Sequence, residues 1–361
     1  MAIALSPTSE HKYLVAVIGT GPGACFFIER LLAETNADIQ VLVFEQSPDI
    51  GGLVRYGVAP DHIATKNALN RFHRVLALPQ VSLRCNTHVN PQALQALAIQ
   101  CDAVVWGGGP SRGKEVAFAD QARAGGIAVT TGYDFAKWTN GWTNGDETSS
   151  AEQLAAAVSS ARNVCIVGNG NVTLDVARNL LRPPPAADSV TPMVHAALAA
   201  QPARTIRILG RRGWEHNKFT PLEFREICAI EGAEFDPTPS SMGESALQTL
   251  ADNRIATRVV EIAQKTASQP LAEPARLHFF FHCEISGVAE GCVTAGTHTF
   301  PTDLLVSCIG YDFAPPADML PVTRKVGWAE SGARGTIPTN KPTSYAQADA
   351  VLAQLQAQAA K

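Results

Sequence analysis

The chain has 361 residues, 46% hydrophobic and 17% charged, with a formal net charge of −4. That length can bury a large core and suits two domains or one large one, at roughly 100–200 residues per domain. The acidic balance offers no general basic surface for nucleic acid, and no apolar run reaches the ~18 residues that cross a membrane. Cysteines 25, 85, 101, 165, 228, 283, 292 and 308 are scattered without a C-x-x-C, so neither a zinc site nor a redox disulfide is expected. The first five residues are too few, and lack the basic lead, for a signal peptide; cytoplasmic residence with reduced thiols is expected.

Residues 14–18 form an apolar run of strand length. Gly19-Thr20-Gly21-Pro22-Gly23-Ala24 follows at once, and an apolar helical stretch over 25–32 comes next. This pattern is a βαβ unit that cradles a diphosphate. Gly19 permits a tight turn, Gly21 lets the backbone approach the phosphates, and Ala24 lets helix and strand pack closely. The N-H groups at the helix start and the positive end of its dipole face the anion. A second strand over 39–44 ends in Glu45, placed to hold a ribose hydroxyl pair and to repel a 2′-phosphate, so this site suits FAD or NAD better than NADP.

Residues 66–77 read as a charged helix, 81–90 as a strand, 93–99 as a short helix, and 103–106 as a strand that runs into Gly107-Gly108-Gly109-Pro110. Residues 111–150, rich in Gly, Thr, Asn and Trp, read as the crossing to a second domain, with a turn-rich loop over 139–145. A helix is expected over 151–161.

At Asn163 the opening logic repeats. A strand over 164–167, a second glycine turn Gly168-Asn169-Gly170-Asn171-Val172-Thr173 and a helix over 174–181 lead to Arg182-Pro183-Pro184-Pro185, where proline ends the helical ladder. The next strand, 205–209, ends in Gly210-Arg211-Arg212-Gly213. Paired guanidinium groups stand where the first unit has an acid, and they can fork onto a phosphate, which points to NADP(H). Residues 217–230 read as a loop and then a helix carrying Glu223 and Glu226 on one face. A helix over 245–264 follows, and strand-like patterns over 277–282, 284–288 and 292–299 suggest a β-meander. A buried strand over 304–309, a loop over 315–325 and a final helix over 345–358 complete the chain.

Four stretches, residues 51–62 (GGLVRYGVAPDH), 168–178 with Pro183-Pro184, 210–227 (GRRGWEHNKFTPLEFREI) and Gly327-Trp328 with 335–340 (GTIPTN), resemble the adrenodoxin reductase type of ferredoxin-NADP reductase. The resemblance implies an α/β fold of two Rossmann-like domains, of three-layer ββα type, with the NADP domain (113–308) inserted in a discontinuous FAD domain (1–112 and 309–361). It implies that FAD meets Gly19, Gly21, Glu45, Leu53, Trp328, Gly335 and Ile337. NADP would meet Asn169, Gly170, Asn171, Val172, Arg211, Arg212, Glu223 and Gly335, with Lys114 or Arg112 as a further phosphate contact. His62 and Glu226 match the family's polar pair, with a role in placing the nicotinamide or relaying protons.

The implied activity passes a hydride from NADPH to FAD and single electrons to a ferredoxin-like iron-sulfur protein. Two features depart from the family pattern. The stretch between Tyr311 and Gly327 is shorter, and Glu330 and Ser331 stand where the family has two cations. They keep open a different redox partner, or a relative that binds nucleotide without electron transfer.

Overall fold

The computed structural model describes residues 13–33, 38–142, 148–184, 190–200, 204–231, 233–269, 276–313 and 322–359. The chain divides into two units: residues 1–58, 62–112 and 311–361, and residues 59–61 with 113–310.

Unit 1 opens with β1 (Tyr13–Ile18), α1 (Pro22–Ala33) and β2 (Ile39–Phe44). Short helices α2 (Leu53–Tyr56) and α3 (Ile63–Lys66) lead to α4 (Ala68–Leu76), β3 (Val81–Arg84), α5 (Pro91–Gln100), β4 (Ala103–Trp106) and β5 (Arg112–Gly113). The strand expected over 81–90 stops at Arg84, and Asn86 turns at a φ of 51°. Val15, Val17, Val41 and Val43 are fully buried, because a parallel sheet is covered on both faces.

Unit 2 continues with α6 (Ala119–Ala124), β6 (Ala128–Thr131), α7 (Gly132–Thr139), α8 (Thr148–Ser160), β7 (Asn163–Val167), α9 (Asn171–Leu181), α10 (Pro192–Ala199), β8 (Thr205–Leu209) and α11 (Pro221–Glu231). After β9 (Glu234–Asp236) come α12 (Glu244–Ala251), α13 (Arg254–Ala267), β10 (Leu277–Phe280), β11 (Ile285–Ala289), β12 (Cys292–Ala295), β13 (His298–Pro301) and β14 (Leu304–Ser307). The chain then returns to unit 1 with β15 (Tyr311–Asp312), β16 (Arg324–Lys325), α14 (Trp328–Ser331) and α15 (Asn340–Ala359).

The sheet of unit 1 is parallel, in the order β16-β4-β1-β2-β3. Phe27, Ile28 and Leu31 of α1 share one core with Phe72 of α4 and Val351 and Leu355 of α15. On the opposite face Leu94 and Leu97 of α5 pack against Ala16, Ile18 and Phe44.

The sheet of unit 2 is also parallel, in the order β6-β14-β7-β8-β10-β9, with helices on one face and the antiparallel sheet β11-β12-β13 on the other. Arg204 is 1% exposed and donates all five N-H groups to carbonyls of Val158, Ala161, Leu180, Ala197 and Leu198. One guanidinium therefore satisfies the C-terminal ends of α8, α9 and α10, where the dipoles favour a cation.

Three further expectations change. The crossing assigned to 111–150 contains α6, β6 and α7, and Thr131 caps α7 by accepting the Asp134 N-H at 3.1 Å. The single helix over 245–264 is two, because Asn253 accepts the Ala256 N-H at 3.1 Å and starts α13 afresh. The strand at 277 joins the parallel sheet, and the meander begins at β11. Residues 143–147 of the turn-rich loop, Pro185 and residues 314–321 of the stretch before Gly327 lie outside the described residues.

Candidate functional site

In unit 1, β1 lies between β2 and β4, so its C-terminal edge is the switch point where open α/β sheets take ligands. The glycine turn occupies that edge. Gly19 has a φ of 96°, and a β-carbon there would lie 2.8 Å from the Gly107 carbonyl oxygen. A β-carbon on Gly23 would lie 2.6 Å from Gly327 Cα. Gly21 differs: nothing stands within 4 Å of its β-carbon position, so its backbone is open to a ligand. Pro22 has no N-H, and the Gly23 and Ala24 N-H groups of the first turn, with the helix dipole behind them, suit an anion.

Glu45 is 5% exposed. Its Oε2 accepts the Thr20 N-H at 3.0 Å and the Thr20 hydroxyl at 2.6 Å, and its Oε1 accepts the Ser47 N-H at 2.9 Å. Thr20 Oγ1 accepts the Gly51 N-H at 3.0 Å. Of roughly four acceptor positions on the carboxylate, one on Oε1 remains for a ribose hydroxyl. Gly52, at a φ of 51°, lies against Gly21, and Leu53 follows as the first residue of α2.

Trp328 opens α14 one residue beyond the Gly23–Gly327 contact. Its Nε1 is buried and has no hydrogen-bond partner among the described residues. An orphan donor near an open glycine cradle fits a bound nucleotide cofactor, and these residues suit a flavin dinucleotide. Gly335, at a φ of 80°, lies against Thr339, and Ile337 packs on the core of unit 1. The Cys25 thiol is buried, and burial and then the charge of Glu45 push it far above the ordinary thiol range.

Unit 2 repeats the geometry at the end of β7, between β8 and β14. A β-carbon on Gly168, whose φ is 143°, would lie 2.6 Å from the Cys308 carbonyl oxygen, while nothing lies within 4 Å of the Gly170 position. Asn169 Oδ1 is buried without a partner among the described residues. Asn171 reaches sideways: its Oδ1 accepts the Thr220 N-H at 2.8 Å and its Nδ2 donates to Thr220 Oγ1 at 3.2 Å. Val172 Cγ1 fills the space beside Gly132.

Arg211 and Arg212 are exposed beyond β8. Arg211 lies 3.7 Å from Glu284, both side chains more than two-thirds exposed, and among the described residues no carboxylate pairs with Arg212. The open Gly170, the Asn169 oxygen and two exposed guanidinium groups, one of them loosely paired with Glu284, fit a phosphorylated dinucleotide.

Glu223 does not stand free with them. It accepts from Arg178 at 3.2 Å, and Arg178 also forks onto Asp61 at 2.7 and 3.1 Å and reaches Asp175 at 2.8 Å. Burial works to lower the Arg178 pKa, but hydrogen bonds and charges of Asp61 and Asp175 outweigh it and hold the group charged. Glu226 is exposed on α11. Lys114 is exposed and donates its N-H to the Gly310 carbonyl at 2.9 Å, beyond β14. Arg112 pairs with Asp312 at 3.0 Å in unit 1, and His62 is half-buried at the start of α3. The roles of Thr20, Thr220 and Arg178 were not anticipated; the Asp175–Arg178 spacing of three on one helix was the visible signal.

Two parallel sheets, each with an open glycine cradle at its switch point, define a tandem dinucleotide-binding α/β protein. Residues 17–82 match the NAD(P)-binding Rossmann-like domain family. NADPH-ferredoxin reductase FprA of Mycobacterium tuberculosis is 28% identical over 398 residues, covering 96% of this chain and 84% of the relative. The mitochondrial NADPH:adrenodoxin oxidoreductase of Salvelinus fontinalis is 33% identical over 273 residues, covering 74% of this chain and 52% of the relative. The structure of M. tuberculosis FprA in complex with NADPH superposes with a TM-score of 0.78 at 25% identity, over 95% of this chain and 84% of that one. In sequence and in fold the chain is similar to the ferredoxin-NADP reductases of the adrenodoxin reductase type. No helix among the described residues is long and apolar enough to cross a membrane.

Proposed function

We propose that this chain is an NADPH-dependent flavoprotein reductase that passes electrons from NADPH through FAD to a ferredoxin-like iron-sulfur protein in the cytoplasm. FAD is assigned to residues 1–112 and 309–361, and NADP(H) to 113–308. The observation that carries the reading is the contrast at the two strand ends: a buried acid at Glu45, and exposed cations at Arg211 and Arg212. An acid there rejects a 2′-phosphate; paired guanidinium groups take one.

FAD, when bound, supplies the exchange between a hydride and single electrons. The protein's part is to hold and to orient. Gly19, Gly21 and the start of α1 take a diphosphate, Glu45 a ribose hydroxyl, and Leu53, Trp328, Gly335 and Ile337 complete that site. Asn169, Gly170, Asn171 and Val172 take the second diphosphate, with Lys114 as an outer cation. Glu223 acts from its place on Arg178, and His62 and Glu226 hold protons or place the nicotinamide.

Visible absorption before and after anaerobic NADPH addition tests the reading. A flavin band that bleaches supports it; a protein that stays colourless after reconstitution with FAD overturns it. Glu330 supports a second reading of the acceptor. It is exposed and its Oε1 accepts from Gln347 Nε2 at 2.6 Å, so an acid stands where the family pattern has a cation. Comparable rates with a neutral dye and far slower rates with an acidic ferredoxin would favour that reading.

A further inference from the structure

Strands β8 and β10 are parallel neighbours with Leu209 opposite Phe280, so Arg211 and His282 each stand two residues beyond a paired position at the same sheet edge. Three backbone bonds stitch the two ends together. Gly210 N-H donates to the Phe280 carbonyl at 2.7 Å, Cys283 N-H to the Gly210 carbonyl at 2.8 Å, and His282 N-H to the Arg212 carbonyl at 3.4 Å. His282 takes a φ of 54°, a left-handed conformation that side-chain-bearing residues adopt at a cost and that recurs at ligand sites.

Its ring lies against the turn that carries the arginines. His282 Nε2 is 2.6 Å from the point a β-carbon on Gly213 would occupy, and the residue is exposed. The charged groups around it are Arg211 and Arg212, Glu284 facing Arg211, and Glu215. Glu215 Oε2 is buried without a partner among the described residues and lies 2.5 Å from the same Gly213 point, while Oε1 faces His216 at 3.4 Å.

We propose that His282 is a third contact for the 2′-phosphate of NADP(H), beside Arg211 and Arg212, and so helps to set the preference for NADPH over NADH. The proposal rests on the reading of unit 2 as the NADP(H) unit. A phosphomonoester carries about −1.5 to −2 charge and three acceptor oxygens, which two guanidinium groups do not saturate. An imidazole N-H at the same edge supplies the missing donor.

The test is calorimetric titration of the full chain with 2′,5′-ADP and with 5′-AMP. His282→Gly removes the ring and relieves the backbone, and His282→Asn keeps a residue tolerant of that φ. Both are expected to weaken 2′,5′-ADP on the order of tenfold, leave 5′-AMP unchanged, and keep or raise the melting temperature. The KM for NADPH rises with them while that for NADH and kcat hold. Were His282 there only to screen Glu215, both nucleotides would weaken together or neither would, and either result overturns the proposal. Arg212→Ala is the control. Loss of 2′,5′-ADP binding with Arg212→Ala but not with the His282 variants removes only this proposal; indifference to both removes the phosphate assignment as well.

Discussion

At the end of β2, Glu45 is 5% exposed and accepts three hydrogen bonds from Thr20 and Ser47. At the end of β8, Arg211 and Arg212 are exposed, with Glu284 3.7 Å from Arg211 and no carboxylate paired with Arg212 among the described residues. The same strand–glycine–helix unit is thus finished in two ways. An acid that accepts one more hydroxyl loses little by being held in advance, because the fixed carboxylate is already oriented. At the second strand end Arg211 pairs loosely with the exposed Glu284 at 3.7 Å, and a solvent-exposed pair of that kind costs little to break if a phosphate binds.

The sharpest way to break that comparison is to remove the cations. The double change Arg211→Ala with Arg212→Ala is expected to raise the KM for NADPH by roughly 100-fold, since a hydrogen bond to a charged group contributes about 1.5–3 kcal/mol. The KM for NADH should hardly move. Equal rises for both nucleotides would sink the phosphate assignment. Folding stability should stay within about 0.5 kcal/mol, as expected of exposed side chains.

Glu45→Ala should do the reverse and act on the fold. It leaves the Thr20 N-H, the Thr20 hydroxyl and the Ser47 N-H without their acceptor. Buried unsatisfied donors cost about 1–3 kcal/mol each, so with partial rescue by water a loss of about 2–4 kcal/mol is expected from urea unfolding. An unchanged urea midpoint would show that the network is ornamental.

The glycines sharpen the contrast within one turn. Gly23→Ala drives a methyl into the Gly327 backbone and is expected to cost about 1–3 kcal/mol. Gly21→Ala meets open space, so the apoprotein should keep its melting temperature while its flavin content after reconstitution falls. A Gly21→Ala protein that binds flavin normally would place the diphosphate elsewhere.

The cores and both glycine turns were legible because their signals are local. β2 and β8 fall on their expected residues, since continuous apolar runs bounded by turn residues specify buried parallel strands. β6 was not read, because its four residues lie in Gly- and Thr-rich surroundings and its identity comes from pairing with β14. The Thr131–Asp134 cap that follows it was the available clue. The charge contrast between Glu45 and Arg211-Arg212 was legible; what else holds each charge was not. Thr20 and Ser47 reach Glu45 only through the turn, and Glu223 meets Arg178 only because α9 and α11 pack side by side. Partners distant in sequence leave no periodic trace.

Glu29 extends the comparison to an acid held by a cation rather than by neutral donors. Arg71 forks onto it at 2.8 and 2.6 Å, and the Tyr345 hydroxyl donates at 2.8 Å, tying α1 to α4 and α15. Burial works to raise the Glu29 pKa, but the hydrogen bonds of Arg71 and Tyr345 and the charge of Arg71 outweigh it and hold the carboxyl below its ordinary 4.5. A depressed folded-state value adds stability that is present above the ordinary value and is lost as pH falls through the lowered one. Glu29→Gln should therefore be less stable than the parent at pH 7, by at most about 1 kcal/mol given partial exposure and screening. The gap should begin to close as pH falls below the ordinary 4.5, vanish below the lowered value, and narrow with added salt. The corresponding gap for Glu45→Ala, set by neutral donors, should be insensitive to salt. If the Glu29→Gln gap instead persists at low pH, the pair acts by packing and shape, and the difference between the two acids is one of burial alone.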